Sequence, residues 1–190
     1  SENTYNQSER FKKDEEFWKS IFKDTPELTY ISPEKHENAS SVANRKIFDI
    51  DSNLYCKISE FCKFYNCSIY TFFMAIYSIY LAKVNNSHSS IIGTPVLNRG
   101  NYKEKHTAGM FISTVPFKID TNPDVPFTSF LKDVASTQLG IFRHQKYPYD
   151  KLLKQIKKEY NISDNLYDFV LSYQNAKDDK NSCDVNYISN

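Results

Sequence analysis

Glycine is scarce in this chain: four residues in 190. There is no Gly-x4-Gly-Lys-Ser/Thr loop to cradle phosphates with backbone amides, no Gly-x-Ser-x-Gly nucleophile elbow and no His-Glu-x-x-His zinc helix. The nucleotide-binding, serine-hydrolase and zincin classes therefore lose their positive signals. An excess of charge of either sign is also missing, with 24 Lys and Arg against 23 Asp and Glu. That balance gives neither nucleic acid nor an anionic membrane a reason to bind. The longest apolar stretch, Ile69 to Val84, is interrupted by Thr71, Ser78 and Lys83, and falls short of the ~20 apolar residues of a membrane span. No basic-then-apolar leader opens the chain, and Ser1 stands where an initiator Met would. The expectation is a soluble, cytoplasmic chain that is an expressed fragment or a processed product.

The four cysteines, Cys56, Cys62, Cys67 and Cys183, have spacings that fit no zinc pattern. Without a secretory signal they read as reduced thiols, and no metal is expected. Each of three histidines, His36, His88 and His106, falls in a polar connection or loop, where a solvated imidazole is the ordinary outcome. His144 differs because it lies in Arg143-His144-Gln145-Lys146-Tyr147-Pro148, where a helix ends against proline. Two roles are open to it: a polar group held at a chain reversal, or a side chain that satisfies the last carbonyls of its helix.

The apolar periodicity predicts an ordered series of elements. A polar tail over 1–7 precedes an amphipathic helix from Glu9 to Lys23 carrying Phe11, Phe17, Trp18, Ile21 and Phe22. A surface connection from Thr25 to Ser41 leads to a strand at Asn44 to Asp49. Ser52 then caps a helix with Leu54, Ile58, Phe61, Cys62 and Tyr65 on one face, and Ser68 caps a second from Ile69 to Val84. The second, apolar on most sides through Phe72, Phe73, Ile76, Ile79 and Tyr80, is predicted to be the most buried helix. Strands follow at Ser90 to Leu97 and Phe111 to Ile119, the latter with a Pro116 that suits an edge or a bulge better than a central strand. Helices at Phe127 to Phe142 and Tyr149 to Lys158 and a strand at Tyr167 to Tyr173 complete the order, and the polar residues 176–190 read as a truncated end. Strands interspersed with helices predict an α/β fold of the α+β two-layer sandwich kind, a mixed sheet with helices on one face, in a single partial domain over 1–190.

Three segments carry a family likeness: Ile92-Gly93-Thr94-Pro95-Val96-Leu97-Asn98-Arg99, Ala108-Gly109-Met110-Phe111-Ile112-Ser113-Thr114, and His144-Gln145-Lys146-Tyr147-Pro148-Tyr149-Asp150-Lys151-Leu152. With Glu16-Phe17-Trp18-Lys19 before them and Val170-Leu171-Ser172-Tyr173-Gln174-Asn175 after, they stand in the order found in the carboxy-terminal lobe of condensation domains of nonribosomal peptide synthetases, which this chain resembles from Phe11 to Asn175. The resemblance implies one lobe of a chloramphenicol acetyltransferase-like fold, in which two lobes form a V around a tunnel. It implies amide formation between aminoacyl or peptidyl thioesters. The phosphopantetheine arms of peptidyl carrier protein domains are then substrate tethers, with no cofactor bound directly, and the amino-terminal lobe of the same domain is the other partner. The family's catalytic His-His-x-x-x-Asp-Gly belongs to that other lobe and is absent here, so no catalytic residue is expected in this chain. Thr94, Arg99, Phe111, Ser113, Thr114, His144, Gln145 and Tyr173 are the implied tunnel-side or lobe-interface residues. Ser113 replaces the usual Asn and Lys146 the usual Asp. A wall of this kind, exposed in a fragment, invites self-association. The alternative is a noncatalytic module that binds or docks carrier proteins.

Overall fold

The computed structural model describes residues 2–31, 43–100, 102–163 and 165–174. Its elements are α1 (Glu2–Asn6), α2 (Glu9–Ile21), α3 (Ser52–Phe64), α4 (Ile69–Val84), β1 (Ser89–Val96), α5 (Tyr102–Lys105), β2 (Ser113–Asp120), α6 (Phe127–Arg143) and α7 (Tyr149–Tyr160). Local chemistry sets the helix starts. Ser8 accepts from the Phe11 amide and Ser68 from the Thr71 amide, each occupying a donor that the first turn leaves unpaired. The cap of α3 is Asp51 rather than Ser52: its carboxylate accepts from the amides of Asn53 and Leu54, which leaves Ser52 as the first helical residue. The polar stretch at the start is no loose tail either, because α1 forms there and the Tyr5 hydroxyl donates to Asp14 at 2.6 Å.

β1 and β2 pair antiparallel from Ser89 opposite Asp120 to Val96 opposite Ser113. The segment after Ser163, expected as a strand at Tyr167 to Tyr173, touches the sheet through two isolated parallel bridges, Thr29 with Tyr167 and Gly93 with Val170. The bonding pattern explains why it extends no further. Gly93 donates to Phe169 O at 2.8 Å and accepts from Leu171 N at 2.9 Å. The next donor along β1 would be Pro95, which has no N–H. In the other direction the Ile91 amide is already given to the Thr29 hydroxyl at 2.8 Å. Since both polar groups of Gly93 point away from β2, its partner Pro116 faces β2's outer edge with the nitrogen that cannot donate. A Cβ on Gly93 would come within 2.5 Å of the Tyr167 ring, so this crossing requires glycine.

The strand expected at Asn44 to Asp49 does not form: residues 43–50 are irregular and exposed throughout. Strand-like residues such as Ile47 and Phe48 need a neighbouring ladder, and among the described residues none reaches them.

The core joins Trp18, Met74, Leu81, Ile92, Phe117, Val134, Ile141, Leu152 and Leu166. α4 packs on β1 and α6, and α6 on β2. Thr71 donates to Gln138 at 2.7 Å between the two helices. The buried face of α4 is Thr71, Met74, Ala75, Ser78, Leu81 and Ala82, so small side chains let it approach the sheet and α6 while Phe72 and Phe73 are half-buried and Ile76 and Tyr80 exposed. On the other face of the sheet Lys118 donates to the Ile21 carbonyl at the end of α2.

Candidate functional site: an open cleft beside a buried carboxylate

The loop from β1 to β2 and the corner between α6 and α7 meet around an open cleft of about 850 Å³. Phe111, Ser113 and Gln145 line it together with Asn98, Glu104, Lys146 and Tyr147, and Tyr5 and Ser8 close one side. Arg99 holds the loop in place. Its guanidinium donates to the carbonyls of Thr107 at 2.7 Å and Gly109 at 2.8 Å and to that of Glu104, and it lies 4.2 Å from the centroid of the Phe111 ring. Three carbonyls and an aromatic face use the planar fork in a way that a lysine could not. Gly109, at φ +144°, supplies the backbone conformation that this wrapping needs.

Gln145 ties the two walls together: its Oε1 accepts from the Asn98 amide at 3.0 Å and its Nε2 donates to the Phe142 carbonyl at 2.7 Å. Lys146, in the position where the resemblance puts an Asp, pairs with Glu104 at 2.5 Å, and the other oxygen of Glu104 accepts from the Gly100 amide at 2.6 Å. Tyr147 is buried beneath the floor, its hydroxyl directed to Gln155 at 3.1 Å. Burial first, and the nearby Glu15 charge second, push its phenol up to about 12. The Ser113 hydroxyl has no hydrogen-bond partner among the described residues, so it is available to a ligand. Among the described residues that line the cleft there is neither histidine nor cysteine, and the one carboxylate, Glu104, is paired. The described lining offers groups suited to binding and orienting a ligand.

His144 lies next to Gln145 in sequence but turns the other way. Its Nδ1 donates to Asp14 at 2.7 Å, and its ring stacks on Phe17 at 4.1 Å. The Asp14 carboxylate is fully buried and also receives the Tyr5 hydroxyl at 2.6 Å and Arg10 Nε at 2.9 Å. The Trp18 indole donates to the His144 carbonyl at 3.0 Å, and Arg10 to the Arg143 carbonyl. His144 thus joins the end of α6 to α2 and does not line the cleft. Burial, followed by the hydrogen bond to Asp14, raises the Tyr5 phenol above its ordinary range.

The other expected residues lie apart from the cleft. Thr94 is 2% exposed, with its hydroxyl 2.7 Å from that of Tyr70. Thr114 is half-buried in β2 opposite Pro95. Tyr173 is 42% exposed and stacks on Tyr70 at 6.0 Å. Of the eight expected residues, Phe111, Ser113 and Gln145 line the cleft, Arg99 holds its loop, and Thr94, Thr114, His144 and Tyr173 lie elsewhere. Asp14 escaped the sequence reading, although a signal was present: it falls between Phe11 and Trp18 on the apolar face of α2, where an acid requires partners. Asn98 and Glu104, in an irregular loop and a single helical turn, carry no comparable periodic signal.

Comparison with known proteins supplies the family. The condensation domain family profile matches residues 1–189. Surfactin synthase subunit 1 of Bacillus subtilis is 34% identical over 174 residues, covering 92% of this chain and 5% of that protein. Bacitracin synthase 2 of Bacillus licheniformis is 30% identical over 176 residues, 91% of this chain and 7% of the synthase. The chain thus spans a small part of the synthases that it matches. Among solved structures, the first condensation domain of the calcium-dependent antibiotic synthetase, in complex with a substrate analogue, superposes with a TM-score of 0.73 at 17% identity, over 90% of this chain and 39% of the other. The condensation domain of the Monacolin K polyketide synthase gives a TM-score of 0.66 at 20% identity, over 82% and 38%. These likenesses carry the α/β architecture, and a family profile that matches nearly the whole sequence makes the chain a member of the condensation domain family.

Proposed function

We propose that this chain is the carboxy-terminal lobe of a nonribosomal peptide synthetase condensation domain, which joins aminoacyl or peptidyl groups tethered as thioesters to carrier proteins. The observation that supports it best is the cleft, where three separated sequence segments bring Phe111, Ser113 and Gln145 to one open surface of mixed polarity. Such a wall, apolar with few oriented polar groups, suits an extended phosphopantetheine arm carrying an acyl group. The lobe's part in the reaction is to hold and orient the arm and to keep water from the thioester. Two tethered substrates confined in one channel react with the advantage of proximity. The group that accepts the amine proton is assigned to the amino-terminal lobe, where the resemblance puts the His-His-x-x-x-Asp-Gly motif. Peptidyl carrier protein domains and that lobe are the partners, in the cytoplasm; among the described residues no single helix is long and apolar enough to cross a membrane. On its own the chain exposes Met110 at 92% and Ile112 at 60% beside the cleft, and self-associates through that rim.

The test supplies donor and acceptor carrier-protein thioesters to the synthetase containing this chain and, separately, to the isolated 190 residues. The expected result is amide product from the first and none from the second. Turnover by the isolated chain that is lost on His144→Ala would overturn this division of roles.

A further inference from the structure

Two cysteines meet where α3 ends. The helix closes with Tyr65 as its cap and Asn66 in the left-handed region at φ 51°. The Asn66 amide donates to Lys63 O at 3.2 Å and the Cys67 amide to Cys62 O at 2.9 Å. These are the paired bonds of a Schellman closure, which brings the side chain two residues past the cap against the one three residues before it. An apolar contact ordinarily fills that place; here both residues are cysteine. Cys62 is 3% exposed and in hydrogen-bond contact with the Cys67 thiol, and Cys67 is half-buried. Both are thiols in this structure.

We propose that Cys62 and Cys67 form a redox-responsive dithiol that closes to a disulfide across the end of α3 on meeting a low-molecular-weight disulfide such as oxidised glutathione. The more accessible Cys67, as its thiolate, attacks one sulfur of the oxidant, forming a mixed disulfide and expelling one small thiol. The Cys62 thiolate then attacks the Cys67 sulfur, forming the internal S–S bond and expelling the second small thiol. The protein loses two protons and two electrons, and the oxidant is reduced to two thiols. Burial, with the Cys67 thiol adding to it, pushes the Cys62 thiol up to about 12. The reduced pair therefore gains no stabilisation from a thiolate at neutral pH, so the disulfide once closed resists reduction, and closure is slow and quickens with pH. Closure pins the corner between α3 and α4.

The experiment incubates the full chain with excess oxidised glutathione, alkylates the remaining thiols and digests with trypsin. Cleavage at Lys63 separates the two cysteines. The expected product is peptide Ile58–Lys63 joined to Phe64–Lys83, released by dithiothreitol and formed at least about tenfold faster at pH 9 than at pH 7 as the thiolate fraction rises. In Cys62→Ser, Cys67 instead retains a stable glutathione adduct. A lasting adduct on Cys67 in the unsubstituted chain, thiols left unmodified after prolonged incubation, or bridging to Cys56 or Cys183 would each overturn the proposal; all are read on the unsubstituted chain, so they do not depend on the variant folding.

Discussion

The corner between α6 and α7 presents two unlike environments one residue apart. On the His144 side, an acid with no exposed surface collects three side-chain donors from α1, α2 and the end of α6. On the Gln145 side, neutral groups, the Lys146–Glu104 pair and Lys103 line an open cleft. The first is a fully satisfied polar cluster, costly to break because each donor would be left without its acceptor. The second spends its strongest interactions on shape, through Arg99, Gln145 and the Lys146–Glu104 pair, and leaves Ser113 available. The family motif that spans both residues therefore divides between a buried structural cluster and the wall of an open cleft.

The contrast breaks most clearly at Asp14. Asp14→Ala removes the shared acceptor of Tyr5, Arg10 and His144 and is expected to cost about 3–5 kcal/mol in urea unfolding. A loss within 0.5 kcal/mol would mean that the cluster holds nothing together. Next comes Thr71→Val, which takes the buried donor from Gln138 between α4 and α6; about 1–3 kcal/mol is expected by the same measurement.

Alkali separates the two sides by titration. The Tyr5 and Tyr147 phenols are raised, chiefly by burial, so the folded state holds protons that the unfolded chain releases. Their contribution is complete below the ordinary tyrosine value of about 10 and falls away as pH rises, for Tyr147 through about 12. Absorbance of tyrosinate should consequently lag in the native protein and appear together with loss of the near-ultraviolet dichroism signal. Ionisation of both phenols at ordinary pH with the fold intact would contradict this.

On the cleft side the stability effects are small. Lys146→Ala breaks a pair that keeps partial solvent contact, and about 0.2–1 kcal/mol is expected. Its larger consequence is a looser loop, seen as faster amide hydrogen exchange over Gly100 to Thr107. Unchanged exchange there would show that Arg99 alone holds the loop.

The helices were legible because their signals are local: apolar spacing and the Ser68 cap placed α4 to the residue. Pro116 revealed an edge for the same reason, since a missing N–H restricts its position whatever surrounds it. What escaped depends on partners distant in sequence. Residues 44–49 have strand composition and no ladder among the described residues, and Tyr167 to Tyr173 is cut short by Pro95 and by a hydroxyl from Thr29. The orientation of His144 was illegible for a like reason, because Asp14 lies 130 residues away. Of the cleft, the motif positions Phe111, Ser113 and Gln145 were legible, whereas its loop wall was not.

The central claim, that this cleft is a substrate wall, is tested most directly by filling it. In the intact synthetase, Ser113→Trp places a large side chain in the cleft, and Lys132→Trp places the same side chain on an exposed face of α6. With both variants folded, the rate of amide formation from carrier-tethered thioesters should fall at least about tenfold for Ser113→Trp, a barrier increase of about 1.4 kcal/mol, and stay unchanged for Lys132→Trp. Equal rates in the two variants would contradict the assignment of the cleft to the substrate path.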